Sequence, residues 1–264
     1  MKFTSGFILL FLLLANVSYA QVNSSLWTTR KSDHFVVCYQ DAPLEYVDQI
    51  LDKAEGYYNS ITEELGFTRF KDFWTWDKRT RIYLYNSRAD YQKQAKQPKW
   101  SAAGTNVISK QIYCFVNMNN FFDNILPHEL GHIIFREFIG FERQLPLWFD
   151  EGLVSYLEKD YRQERLLIAK KLRFTRSFMT LDELSLQNKG NMLMPDIFYA
   201  EAASIFEYLV HEGGHEKLVE FCRHLRELRK DQDWIVALNS VYGFKDLAEL
   251  DNNWQSFLVK SNEN

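Results

Sequence analysis

The chain has 264 residues, of which 46% are hydrophobic and 25% charged, and its formal net charge at pH 7 is −4. This composition is that of a chain with one sizeable core or two small ones, and it argues against intrinsic disorder. The slightly acidic balance also argues against a nucleic-acid-binding surface.

The first twenty residues have the composition of a secretory signal peptide. Lys2 precedes the apolar run GFILLFLLLA, and Ser18 and Ala20 are small residues at the positions that a signal peptidase reads. The run is far shorter than the ~20 apolar residues of a membrane span. We therefore expect cleavage after Ala20, no stable membrane insertion, and export to the periplasm or the extracellular space. An uncleaved anchor is the alternative.

Sequence periodicity predicts an α+β protein. Hydrophobic and β-branched patterns predict strands at 34–40, 80–86 and 108–117, and helical spacing predicts a long helix at 43–65 and a short one capped by Ser87. From about residue 121 the chain reads as mainly helical. We predict a single domain over 21–264, with a small mixed sheet and its helices at about 30–120 and a helical lobe at about 121–264.

The two basic runs and the three cysteines do not by themselves indicate a binding site. The basic runs at 162–176 and 223–230 interleave charge with apolar residues at helical spacing, which predicts solvated faces of amphipathic helices. Cys38, Cys114 and Cys222 are odd in number. One disulfide with a free thiol and three buried thiols are both compatible with export.

The stretch NILPHELGHIIF, residues 124–135, contains the pattern His-Glu-x-x-His. His128 and His132, four residues apart, would face the same side of a helix and could bind one tetrahedral Zn²⁺. Glu129 would then lie beside the metal, where its carboxylate could take a proton from water. With Asn124 as the N-cap, Pro127 falls in the first helical turn, where a missing N–H costs nothing.

A second match to the same pattern, HEGGH at His211 to His215, is predicted to be a decoy. Gly213 and Gly214 oppose helix formation by roughly 2 kcal/mol and follow an apolar run, which is typical of a helix C-terminus. The two histidines would then not share a face.

Glu151 is the candidate third zinc ligand. Between His132 and Glu151 lie 18 residues, enough for the rest of one helix, a turn and the start of a returning helix. A carboxylate at a helix start is also favoured by the helix dipole alone, so spacing and context together support the assignment. The corresponding position after HEGGH is Trp234, whose side chain cannot act as a zinc ligand.

HELGH, the 18-residue gap and WFDEGLVSY together resemble the gluzincin metallopeptidases, particularly the small MA-like peptidase domains and the catalytic core of aminopeptidase N-like enzymes. FYAEAASIFEYLVHEGG, residues 198–214, is similar to the Tyr-led helix of that family. The resemblance implies a zincin-type helical lobe, one zinc held by His128, His132 and Glu151, and Glu129 as general base. It also implies that Tyr199 donates a hydrogen bond to the oxyanion, although a purely packing tyrosine is the alternative.

The chain departs from that family in two respects. The Gly-x-Met-Glu-Asn segment that anchors a free substrate N-terminus in aminopeptidases has no counterpart, so exopeptidase specificity is not implied. Ser155 stands where thermolysin-like enzymes have an aspartate supporting the histidines, four residues beyond the glutamate ligand.

The sequence therefore predicts an exported zinc-dependent peptidase that acts on a peptide or protein substrate, whose backbone could pair with an edge strand near 104–107. The alternatives are a non-peptide hydrolase and a zinc-binding domain with a binding or assembly role in the cell envelope. An intact Glu129 argues against the last, because a purely structural site needs no base. Nothing in the sequence indicates an oligomeric state.

Overall fold

The computed structural model describes residues 27–66, 78–95, 103–188, 194–229 and 231–260. The predicted signal peptide, residues 1–20, lies outside the described residues. The strands are β1 Thr28–Lys31, β2 Phe35–Tyr39, β3 Thr80–Tyr85, β4 Gly104–Asn106 and β5 Gln111–Phe115. The helices are α1 Leu44–Glu64, α2 Arg88–Gln94, α3 Leu126–Ile139, α4 Leu147–Leu157, α5 Lys159–Leu172, α6 Leu181–Ser185, α7 Pro195–Glu227, α8 Trp234–Tyr242 and α9 Leu247–Lys260.

The five strands form one mixed sheet in the order β1-β2-β3-β5-β4. β2, β3 and β5 run parallel to one another, while β1 and β4 pair antiparallel at the two edges. The central strands are almost fully buried, as expected for strands covered on both faces. The sheet precedes a mainly helical half, which confirms the predicted α+β class.

The predicted strands match β2, β3 and β5 to within a few residues, and β4 lies where an edge strand was expected, near 104–107, but β1 was not predicted. β1 is exposed along its whole length, and β4 has only three residues, Gly-Thr-Asn. Neither has the apolar alternation by which strands are recognised in a sequence. β4 exists because β5 supplies its hydrogen-bonding partner.

Two glycines allow the helices that carry the candidate site to approach closely. A Cβ placed on Gly131 of α3 would lie 3.0 Å from Cγ1 of Val154 in α4, and a Cβ on Gly152 of α4 would lie 2.6 Å from the carbonyl oxygen of Ala202 in α7. Any side chain at Gly152 would therefore push α4 away from α7. The helix propensity lost at Gly131 is compensated by this packing.

The predicted N-cap of α3 is wrong. Asn124 lies within a π-helical turn, Phe121–Ile125, and α3 continues directly from it with Ile125 in the N-cap position. The chain enters the turn through Asn120, which adopts a left-handed conformation with φ of 55°. Pro127 does lie in the first turn of α3, as predicted.

The predicted break in the helix at HEGGH is present as a kink, and a second helical segment follows it directly. Gly214 has φ of 70° and ψ of 172°, which kinks α7 between two helical segments. The His211 ring packs on Phe257, with 5.0 Å between ring centroids, whereas Nε2 of His215 lies 3.7 Å from a carboxylate oxygen of Glu64. The two histidines thus have different neighbours.

All three cysteines are buried free thiols, which decides between the two alternatives left by the sequence. Burial raises the pKa of Cys38, Cys114 and Cys222 above the ordinary thiol value. Thiols of this kind are unreactive. Among the helices of the described residues, none is long and apolar enough to cross a membrane.

Glu201 of α7 is a fully buried carboxyl, and burial raises its pKa to about 8. Its Oε1 accepts a hydrogen bond from the backbone N–H of Met179, while Oε2 has no hydrogen-bond partner among the described residues. Below about pH 4.5, the ordinary pKa, the folded and unfolded chains both hold this proton. As the pH rises to about 8, only the unfolded chain releases it, so the free energy of unfolding falls.

We expect Glu201→Gln to raise the melting temperature of the metal-free protein at pH 8.5 by roughly 5 °C, because the amide keeps the bond to Met179 without a buried charge. The difference should vanish near pH 4.5. Thermal melts across this pH range provide the measurement, with the exposed Glu212→Gln as control. An equal difference at both pH values would contradict the assignment.

Candidate metal centre

Two consecutive helices bring the three predicted ligands together. His128 and His132 lie one turn apart on the same side of α3, and Glu151 lies in the first half of α4, which packs against α3. The Glu151 side chain is 2% exposed, and those of His128 and His132 are 17% and 12% exposed. The imidazoles therefore face a partly open space and the carboxylate approaches from the protein interior.

The three donor atoms form a nearly equilateral triangle. Nε2 of His128 lies 3.2 Å from Nε2 of His132 and 3.3 Å from Oε2 of Glu151, and the remaining side of the triangle, from His132 Nε2 to Glu151 Oε2, measures 3.4 Å. A tetrahedral Zn²⁺ with bonds of about 2.0–2.1 Å holds its ligand atoms about 3.3–3.4 Å apart. The three residues consequently fit one face of a zinc tetrahedron. Two histidines and one carboxylate are also the ligand type of a catalytic rather than a structural zinc site.

A buried carboxylate supports His128 from behind. Oε1 of Glu158, which joins α4 to α5, lies 2.6 Å from Nδ1 of His128, and its side chain is fully buried. Arg165 of α5 in turn donates to both Glu158 oxygens at 3.0 and 2.8 Å and to the carbonyl of Ser155 at 3.0 Å. Such a carboxylate orients the ring and directs Nε2 to the metal position.

Glu158 was not identified from the sequence, although it lies only two residues beyond the WFDEGLVSY stretch. It follows Glu151 by seven residues, or two helical turns, so it returns to the same side of the chain. Ser155, the position compared with thermolysin-like enzymes, contributes only its backbone carbonyl to this network. Arg165 belongs to a basic run predicted to be solvated, yet its side chain is only 16% exposed. For this arginine the prediction was wrong, because Glu158 draws it inward.

Replacing Glu158 by glutamine should weaken zinc binding about tenfold, since loss of an outer carboxylate typically costs 10–100-fold in metal affinity. The amide can still accept from Nδ1 but no longer strengthens His128 as a ligand. Competition with a chromogenic chelator measures the zinc dissociation constant. Glu164→Gln, at an exposed position that immediately precedes Arg165 in α5, should leave the zinc affinity unchanged. Equal affinities in the two variants would contradict a supporting role for Glu158.

The electrostatics of the cluster favour charged groups despite burial. Burial opposes the ionised form of Glu151, but the charges and hydrogen bonds of His132 and His128 hold the pKa of this carboxyl well below its usual range. Burial likewise opposes a charged His128, but Glu151 and Glu158 raise the pKa of this imidazole above its usual value. The carboxylates of Glu151 and Glu158 thus stabilise positive charge at the imidazoles, and the same negative charges would stabilise a bound divalent cation.

Glu129 lies next to His128 on α3, and its carboxylate is held from the sheet side. The hydroxyl of Thr105, in edge strand β4, donates to Oε2 of Glu129. The edge of the sheet therefore adjoins the residue predicted to act as base. Thr105 was not identified from the sequence, because a lone threonine in a short polar strand carries no recognisable signal.

Tyr199, near the start of α7, is the fifth predicted site residue. Its ring lies edge-on to His128, with 6.1 Å between the ring centroids. Burial raises the pKa of Tyr199, and the charges of Glu151 and Glu129 raise it further, so the phenol keeps its proton and remains a hydrogen-bond donor at physiological pH. Three helices thus place all five predicted residues around one space.

The family model of the Peptidase MA superfamily matches residues 75–260. The matched region contains every residue of the cluster and covers more than half of the chain, and the chain belongs to this superfamily. No curated protein matches the chain.

Proposed function

We propose that this member of the Peptidase MA superfamily is a zinc-dependent peptidase of gluzincin type, with His128, His132 and Glu151 as its zinc ligands. Membership of the superfamily supports metallopeptidase-like activity in general. The zinc ligand set and the class of peptidase rest chiefly on the triangle of donor atoms, whose edges of 3.2–3.4 Å suit tetrahedral zinc.

The side chains of the chain have separate tasks in this reaction. Zinc, when bound, supplies a Lewis acid that polarises the scissile carbonyl and lowers the pKa of a water molecule. Glu129 accepts the proton of the attacking water and passes it to the departing amine. The Tyr199 hydroxyl donates a hydrogen bond to the oxygen that becomes negatively charged as the carbonyl turns tetrahedral. Glu158 and Arg165 hold the His128 ring in place.

Strand β4 is the proposed docking edge for the substrate backbone. One side of β4 pairs with β5, and within the described ranges of the chain β4 stands at the end of the strand order, with its other side as a sheet edge. Thr105 in the middle of β4 contacts Glu129, so a peptide added along this edge would pass the general base. Backbone pairing of this kind holds a peptide largely independently of its sequence.

We further propose that the mature protein begins after Ala20 and works in the periplasm or outside the cell as a single peptidase domain. The basic and apolar pattern of residues 1–20 supports this location. N-terminal sequencing of the protein from an exporting host tests the cleavage point. An intact N-terminus on purified protein would favour the uncleaved anchor.

Peptide cleavage tests the proposed function directly. The protein from residue 21 onward is incubated with a peptide library in zinc, after removal of zinc by a chelator, and after zinc is restored. We expect cleavage in the first and third samples only. If no sample shows cleavage although zinc is bound in the first and third, the peptidase proposal is contradicted. A non-peptide substrate or a binding role is then favoured.

Tyr199→Phe separates an oxyanion donor from a packing tyrosine. Loss of one such donor costs ~10²–10³ in kcat, and kcat/KM should fall equally because the bond is made only in the transition state. KM, zinc content and melting temperature should stay near wild type, since the ring is kept.

Tyr208→Phe is the matched control on the same helix. Tyr208 is 2% exposed and packs on Phe244 and Phe257, away from the zinc ligands. Its phenylalanine variant should turn over substrate like wild type. If Tyr199→Phe also does so, the oxyanion role is wrong even where the zinc ligands are correct.

A further inference from the structure

We infer that Thr105 is a positioning residue that holds the carboxylate of Glu129 in its working orientation. The inference deepens the proposed function and rests on it. It names a part of the catalytic arrangement that comes from the sheet rather than from the zinc-binding helices.

The contact joins a group on a constrained strand to a group on a buried helix. The Thr105 hydroxyl donates to Oε2 of Glu129 across 24 residues of chain. The Thr105 backbone is fixed by pairing of β4 with β5, in which Thr105 stands opposite Ile112. Because threonine is β-branched and therefore stiff at χ1, fixing its backbone also restricts its hydroxyl.

A second contact fixes the register of the β4–β5 hairpin against α3. Lys110, in the turn between the strands, lies 3.1 Å from a carboxylate oxygen of Glu137, and the two side chains are 12% and 18% exposed. Glu137 follows Glu129 by two turns of α3. The hairpin is thus attached along the helix at two places, so Thr105 is held opposite Glu129 rather than meeting it by chance.

The expected benefit is positional. A glutamate side chain has three rotatable bonds, and a base that samples several rotamers spends only part of its time within reach of the water proton. The Thr105 hydroxyl engages Oε2 and leaves proton transfer to Oε1. The hydrogen bond therefore selects one carboxylate orientation without occupying both oxygens.

Thr105→Val removes the hydroxyl and keeps the β-branched shape. Since general-base catalysis is worth ~10²–10⁴ in total, misplacing the base should lower kcat by about tenfold. KM should stay unchanged, because the backbone of β4 is unaltered, and zinc content should stay at one per chain. Thr105→Ser restores a hydroxyl and should recover most of the lost kcat. Thr29→Val, the same change in the opposite edge strand β1, should have no effect.

Melting of the zinc-free protein provides a readout that does not depend on activity. We expect Thr105→Val to lower the melting temperature by about 2–4 °C, the shift typical of one lost hydrogen bond in a chain of this size. In a Glu129→Ala background the same change should have no effect, because the acceptor is already gone.

The outcomes distinguish this inference from the function on which it rests. If wild type shows no zinc-dependent peptide cleavage, the proposed function fails and the catalytic part of the inference fails with it. If wild type cleaves peptide and Thr105→Val has the same kcat, only the inference is wrong. A loss of kcat that serine does not restore, or equal melting shifts in both backgrounds, would likewise overturn it.

Discussion

Glu129→Gln is expected to lose nearly all peptide turnover while the protein keeps its fold and its zinc. The amide cannot accept the proton of the attacking water, and general-base catalysis is typically worth ~10²–10⁴-fold. Its side-chain carbonyl can still accept the hydrogen bond from Thr105, so the junction between β4 and α3 should survive. Steady-state kinetics on one identified peptide, together with metal analysis and a thermal melt, measure the three properties.

The exposed Glu142→Gln, shortly after α3, provides the control for the loss of one negative charge. It should leave turnover unchanged. Turnover by Glu129→Gln at the wild-type rate would rule out Glu129 as the base. A loss of zinc in this variant would instead show that the carboxylate takes part in metal binding.

Alanine at any one of His128, His132 or Glu151 should remove the zinc and, with it, all measurable peptide cleavage. Each residue supplies one donor atom of the triangle, and the two remaining donors hold the metal far less tightly. Elemental analysis after dialysis against a weak chelator gives the zinc content directly. We expect about one zinc per chain in wild type and close to none in the three variants.

His211→Ala and His215→Ala are the matched controls, because these histidines belong to the same five-letter pattern. The His211 side chain is largely exposed and that of His215 is partly exposed, and neither lies in the cluster of donor atoms. They should keep full zinc and full turnover. Zinc retained by Glu151→Ala would disprove the third ligand, and zinc lost from His211→Ala would disprove the choice between the two motifs.

The ligand pair could be predicted from the sequence because its geometry is local. Two histidines four residues apart lie on one side of any helix, and the propensities of the flanking residues predict whether that helix forms. The same reasoning separated HELGH from HEGGH, since Gly214 does interrupt α7. The α+β class was predictable too, because the buried strands and the helices have distinct hydrophobic periods.

The role of Glu151 as a ligand could be predicted only in part from its spacing in the sequence. An 18-residue gap allows a returning helix, but close packing of the helices decides whether the carboxylate reaches the imidazoles. That packing depends on Gly131 and Gly152, at which a Cβ would collide with α4 and α7. In the sequence the same glycines read only as a cost in helix propensity.

The partners of the site residues were decided by the tertiary structure alone. Thr105 meets Glu129 because β5 recruits a three-residue strand, and Arg165 turns inward because Glu158 is buried at the end of α4. None of these contacts has a periodic signal in the sequence, because each joins elements whose mutual placement depends on the whole core. The sequence by itself determined the helix that carries the histidines and the types of residue available to a metal. The tertiary structure decided which side chains support the histidines and the base, since hydrogen bonds between distant segments form only where packing has already brought the two groups together.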